Sequence, residues 1–321
     1  MKIIEITLLF LGSIIGAGFA TGAEIITFFG KLSLPVWCIS IIVGLAMFSI
    51  IILEILLYYP KQTETKVIKY KKKQTWLRII NISTVIIYFI LFTAMTAGVT
   101  SITNYFVTII SLVCSAFIVL FGFDKLSHLN TYIVFLIIIL ITSTALPYLN
   151  RNIIENLSYT SFPRGIFWGV LYAGLNCFMF PELIKAASKF NKRSTLIWSS
   201  FFTSVIVTIL VGLILTTIKT CQTTYATIPL LAAVPKPITI IIILLAILTS
   251  QYTALFAIVQ RCERLASKTK CRPPLIIAGI CLCAFIFSFF GFTQIISFAY
   301  PLIGAITCVF LLISWLKTLQ L

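Results

Sequence analysis

Gly12-Ser13-Ile14-Ile15-Gly16-Ala17-Gly18-Phe19-Ala20-Thr21-Gly22 places four glycines in eleven residues, inside the first long apolar run of the chain. Glycine weakens a helix because it has the most backbone freedom to lose and leaves peptide groups uncovered. Lipid offers no water to satisfy an opened backbone, so irregular backbone at membrane depth survives only against protein or a cavity. Two readings follow. The stretch is a broken helix whose backbone binds something, as at the midplane sites of many transporters. Or it is a packing seam, since Gly12/Gly16 and Gly18/Gly22 have small-xxx-small spacing.

Composition fixes the setting of this stretch. The 321 residues are 60% hydrophobic and 10% charged, with a mean hydropathy of +1.12. Soluble domains carry roughly 25% charged residues. The chain is therefore expected to be an all-α integral membrane protein, one transmembrane domain over 1–321 with no soluble domain. The net charge of +16 does not imply nucleic acid. It fits basic loops held on the cytoplasmic side. Residues 1–24 read as a retained first helix rather than a signal peptide, because Glu5 interrupts the start and the apolar pattern runs on to Phe29.

Ten segments have the roughly 20 apolar residues that a bilayer crossing needs. They are 4–29, 36–58, 79–101, 104–122, 131–149, 165–187, 195–217, 238–260, 274–291 and 294–316. Thr103-Asn104 and Gly291-Phe292-Thr293 are the expected divisions between the closest pairs. With both termini inside, the cytoplasmic loops hold 19 of the 24 basic residues and the outer loops hold Lys31, Arg151, Arg164, Lys219 and Lys236. This asymmetry predicts an N-in, C-in topology, with both termini cytoplasmic. The Lys69–Lys73 cluster serves either as a topology anchor or as a contact for anionic membrane lipid.

A faint repeat relates segments one and six. Laying Gly12 on Gly169 puts Ala17 on Gly174 and brings Glu24 within one residue of Glu182. Five spans separate the two, and an odd number reverses the direction of crossing. The halves 1–149 and 164–316 would then be inverted repeats, with first and sixth helices both broken. Gly169, Gly174 and Pro181 predict an interruption of segment six, since proline removes a backbone hydrogen bond. Tyr172, Gly174 and Asn176 thus join Gly16, Ala17 and Gly18 as candidate solute-binding residues. Asn176 serves equally well as an interhelical hydrogen-bonding group.

Ionisable groups within spans are costly and point to function. Glu24 is the leading one, either sensing a cationic group on a solute or forming a gate with Arg164. Glu182 would pair with Lys185, and Glu54 would reach toward the interface. In segment eight, Thr249-Ser250-Gln251-Tyr252-Thr253 is strongly polar for mid-span sequence. Its hydroxyls and carbonyls are hard oxygen donors suited to a small cation. The competing account is Ser/Thr bonding back to the helix's own carbonyls. The nine cysteines form no CxxC or Cys/His cluster, and the single histidine, His128, is expected in a loop. No nucleophile–base pair, P-loop or filter motif is seen, so an enzyme and a passive channel are disfavoured.

The run Gly16-Ala17-Gly18-Phe19-Ala20-Thr21-Gly22-Ala23-Glu24 resembles the signature of the bacterial YkvI-like membrane proteins, a family similar to LeuT-fold transporters of the amino acid–polyamine–organocation superfamily. The resemblance implies ten helices in a five-plus-five inverted repeat. It also implies a sodium ion held by the carbonyls of Gly12, Ile15 and Ala246 with the hydroxyls of Thr249 and Ser250. No organic cofactor, nucleic acid or obligate protein partner is implied. Phe19 stands where amino-acid transporters of this fold that bind a second sodium carry asparagine, which argues against a second ion. The expected activity is sodium-coupled transport of a small organic solute, an amino acid or related zwitterion or cation. The alternatives are a non-transporting ligand sensor of the same fold and a proton-coupled carrier using Glu24 or Glu182.

Overall fold

A computed structural model describes residues 3–59, 71–120, 123–149, 162–188, 191–226, 228–265 and 273–319. Within these, the side chains of 71–81, 123–129, 182, 186, 263–265, 273 and 317–319 lie outside the description. Of the 19 basic residues assigned to the cytoplasmic side, eight, including Lys69, fall outside the described residues, and seven more have side chains outside the description.

Helices fall on every apolar segment. The first segment is three helices, α1 (Ile3–Ile14), α2 (Ala17–Thr21) and α3 (Ala23–Phe29). Then come α4 (Val36–Tyr58), α5 (Lys71–Ile102), α6 (Tyr105–Leu120) and α7 (Phe123–Ala145). The sixth segment is α8 (Phe162–Cys177) and α9 (Phe180–Ser188). It is followed by α10 (Arg193–Thr220), a short α11 (Pro229–Ala233), α12 (Lys236–Leu265), α13 (Pro273–Phe287) and α14 (Phe292–Leu319). Six of these contain stretches long and apolar enough to cross a bilayer: α4, α5, α7, α10, α12 and α14. The protein is a multi-pass helical membrane protein. Its outward faces agree, since Trp37, Leu45, Phe106, Phe117, Phe135, Leu282 and Phe298 are large, apolar and exposed. In water such a surface would drive aggregation, whereas against lipid it costs nothing.

Local chemistry sets the divisions. Asn104 ends the α5–α6 turn by accepting the Val107 N–H at 3.0 Å, a side-chain cap. Gly291 adopts φ +88° ahead of α14. His128 is helical, inside α7, because that helix begins eight residues before the apolar run and carries its polar first turns with it.

The helices pair in a regular way. α4 packs on α10 and α5 on α12. α8 packs on α14 and α4, while α1 packs on α7 and α10. α12 also packs on α6 and α7, and α5 on α13 and α14. The α4–α10 crossing is built from small residues. A Cβ on Gly44 would overlap the Thr208 hydroxyl, and one on Gly212 would meet Ser40 Oγ at 3.0 Å. Ser40-xxx-Gly44 on one helix thus faces Thr208-xxx-Gly212 on the other, with the order reversed. Small residues let two backbones approach closely where lipid supplies no hydrophobic drive.

Candidate functional site

The first segment opens at Ile15-Gly16. The Gly16 N–H donates to Ile14 O at 2.9 Å, and the Ala17 N–H to Met95 Sδ at 3.3 Å. In an unbroken helix these two amides would serve Gly12 O and Ser13 O. The diversion releases both carbonyls from the ladder. A second interruption follows at Gly22, whose φ of +74° ends α2 and starts α3. Residues other than glycine disfavour that conformation. The first helix is therefore broken twice, and the second break delivers Glu24 to the first turn of α3.

A helix break and close packing both occur along the glycines, at different positions. Gly12 is a packing glycine as well as a wall of the site, because the Asn130 amide of α7 occupies the space of a Cβ there. Asn130 Oδ1 in turn accepts the Tyr252 hydroxyl of α12 at 3.2 Å. Gly16 lies against Ser250 and Met95, and Gly18 against Glu24 and Tyr300.

The sixth segment opens elsewhere than the sequence predicts. The stretch Tyr172–Asn176 is unbroken helix, and α8 runs to Cys177 before yielding at Phe178-Met179. Two facts explain the shift. Gly174 is taken up by a close crossing with α14, where a Cβ would meet Cys308 Sγ at 2.7 Å and Gly304 O at 2.8 Å. Pro181, in the first turn of α9, has no N–H for Cys177 O and its ring crowds that carbonyl. Proline sets this break, and the glycines set packing. Aligning the two breaks pairs Ile14 with Cys177, so Gly12 falls opposite Leu175 rather than Gly169.

Between the breaks lies a narrow cavity of about 40 Å³. Gly12, Gly16, Glu24, Asn176 and Ser250 line it among the residues singled out from sequence. Ile15, Ala17, Gly18, Tyr172, Gly174, Ala246 and Thr249 are not among its lining residues. Asn176 Nδ2 donates to Glu24 Oε1 at 2.9 Å and to Tyr172 O at 3.0 Å. Two acceptors on one atom identify it as the amide nitrogen, which leaves Asn176 Oδ1 as an acceptor. The Tyr172 and Tyr300 hydroxyls are buried beside Glu24 without meeting hydrogen-bond geometry with a described group. Glu24 is 3% exposed. Its partner is Asn176, whereas Arg164 is exposed, so the gate expected between Glu24 and Arg164 is not formed.

On the opposite wall, α12 presents its hydroxyls. Ser250 Oγ donates toward Ala246 O at 2.9 Å and Ile15 O at 3.3 Å. Thr249 Oγ1 donates to Ala246 O at 2.9 Å, and Thr253 Oγ1 to Thr249 O at 2.7 Å. Back-bonding within the helix thus holds for all three, and Ser250 alone also reaches the first-helix break. Gln251 faces away from the cavity, bridging Ser115 and Thr96 at 3.2 Å each.

Aromatic pairs pack around both broken segments. Tyr172 packs edge-on against Phe28 and Phe29, with ring centroids 5.3 Å apart in each case. Phe10 meets Phe180 at 4.6 Å, and Tyr88 meets Phe178 at 5.2 Å. Two larger grooves, of about 660 and 520 Å³, lie on exposed helix faces and are lined almost wholly by apolar side chains. Such lining offers little to bind a polar solute.

Sequence reasoning missed Met95, Tyr300 and Asn130. Tyr300 had a signal, the internal Pro301 in α14. Glu54 does not reach the interface as expected. It is fully buried, and neither carboxylate oxygen has a partner among the described residues. The pairing expected of Glu182 lies outside the described side chains. Compared with protein-family models and with curated proteins, the chain matches none.

Proposed function

We propose that the protein is a sodium-coupled secondary transporter of a small organic solute, resembling the YkvI-like and LeuT-fold carriers and working by alternating access. The observation that carries this is the meeting of Ser250 with Ile15 O across a helix break. Two hydroxyls of α12 and the carbonyls of Gly12, Ile15 and Ala246 would supply the oxygen-rich corner that a hard cation requires. Sodium would sit there, with Ser250 turning its lone pairs to the ion.

The helix pairing supports a five-plus-five repeat over 1–149 and 164–316. Exchanging the two sets of five segments converts α1–α7 into α8–α14, α1–α10 into α8–α4, and α12–α7 into α5–α14, and all six contacts occur. The α4–α10 and α5–α12 contacts map onto themselves. Ser40/Gly44 and Thr208/Gly212 then occupy equivalent places, as a two-fold relation requires. Aromatic packing around both broken segments and the small cavity suit an occluded stage of alternating access, with N- and C-termini cytoplasmic in a bacterial membrane.

Purified protein in proteoliposomes tests the function. Solute accumulation driven by an inward sodium gradient, and lost when the gradient is collapsed, is the expected result. Ligand-induced stabilisation with no flux would instead identify a sensor.

A further inference from the structure

The cavity between the breaks has a one-sided chemistry. Among the described residues, Glu24 is the only charged one that lines it, and no described lysine, arginine or histidine does. Each other polar lining side chain except Tyr300 has already spent its hydrogens on the protein. Ser13 donates to Phe10 O at 2.7 Å, Ser250 to Ala246 and Ile15 carbonyls, and Thr253 to Thr249 O. Both amide hydrogens of Asn176 are used. The Gly16 and Ala17 N–H groups go to Ile14 O and Met95 Sδ. The side chains and released carbonyls that remain to face a ligand are acceptors apart from the Tyr300 hydroxyl: a carboxylate, an amide oxygen, hydroxyl lone pairs and the Gly12 and Ser13 carbonyls.

A carboxylate-bearing solute would meet no cation there and few donors. It would also meet Glu24, whose Oε2 lies 2.6 Å from the position of a Cβ on Gly18. The chain's own carboxylate thus occupies the flank of α2 that would otherwise face an anion, and like charges at such range disfavour one another. An ammonium group has the opposite character, three donors and a positive charge. Leu91, Leu175 and Ala254 supply an apolar remainder for a short alkyl chain. At about 40 Å³ the closed cavity has room for such a head group, given that a water takes roughly 10–15 Å³ on this measure.

We propose that the solute is a small alkylammonium-type cation bound at Glu24, without a carboxylate of its own. This rests on the cavity being the solute site of the transporter described above. The test uses the full purified chain in detergent with sodium chloride and three matched probes: butylammonium, its α-carboxylated counterpart norvaline, and pentanoate. Thermal stabilisation is titrated with each. Butylammonium is expected to stabilise, and norvaline and pentanoate to have at least tenfold weaker effect. Glu24→Gln is expected to weaken the butylammonium midpoint at least tenfold. Equal or stronger stabilisation by norvaline or pentanoate overturns the proposal, as does stabilisation by none of the three. A Glu24→Gln midpoint within twofold of the parent also overturns it. The comparison of probes is made in the unmodified chain, so it stands if the variant does not fold. Flux separates the two levels. Norvaline accumulating under a sodium gradient defeats the cation assignment and leaves the transporter. Butylammonium binding without accumulation defeats the transporter and leaves the cation site.

Discussion

Asn176 holds Glu24 from a separate helix: its amide nitrogen lies 2.9 Å from the carboxylate and ties the end of α8 to the start of α3. The two residues belong to different broken segments, so this bond links the two interruptions directly. A buried carboxylate deprived of such a partner carries its full desolvation cost, about 1–3 kcal/mol or more. Asn176→Leu should therefore lower the unfolding free energy by about that amount. Asn176→Asp should be worse, since it sets a second carboxylate against the first. Thermal unfolding in detergent reads both, and the order parent, Leu, Asp is the expected outcome.

Gly22 makes an independent prediction. At φ +74° any L-residue is strained by about 1–2 kcal/mol, and a Cβ would also lie 2.5 Å from Ile218 Cδ1. Gly22→Ala should destabilise by at least this strain. Pairing it with Ile218→Val should recover the steric part and leave the conformational part. Full recovery in the double variant would mean that the backbone there is not left-handed.

The α4–α10 crossing predicts coupling. Gly44→Ala forces the Thr208 side chain away, and Thr208→Gly makes room for it. Residues in direct contact show coupling energies of about 0.5–3 kcal/mol. A double-mutant cycle on Gly44 and Thr208, read by thermal unfolding, should show favourable coupling in that range. Additive effects would contradict the close approach.

Glu54 has no role in the transport reading, and its two oxygens are unpartnered among the described residues. Replacing an unsatisfied buried polar group by an apolar one of similar size is neutral or stabilising. Glu54→Leu is expected to raise the melting temperature while leaving solute binding unchanged. A marked loss of stability would show that the carboxylate has a partner.

Much of the architecture was legible because membrane helices advertise themselves by length and apolarity. The Asn104 and Gly291 boundaries could be read since turn chemistry is local. The first-helix break was visible in its glycines. The sixth was misplaced because glycine has two uses that look alike in sequence. Gly174 serves the contact with Gly304, and only the partner helix reveals that. Pro181 carried the true signal four residues after the carbonyl it releases. Asn130, Met95 and Tyr300 reach the site from other helices, a relation that no spacing encodes. Glu54 was misjudged for a different reason: helix ends snorkel only where the side chain faces lipid or water, and this one faces inward.

The central claim is that the break at Ile15 and the hydroxyls of α12 hold a coupling cation. The most direct measurement is sodium dependence of solute uptake in proteoliposomes, for the parent chain and for Thr249→Ala combined with Ser250→Ala. Removing both hydroxyls should leave membrane insertion intact and abolish the response to sodium. Uptake that remains sodium-dependent to the same degree in the double variant would contradict the claim.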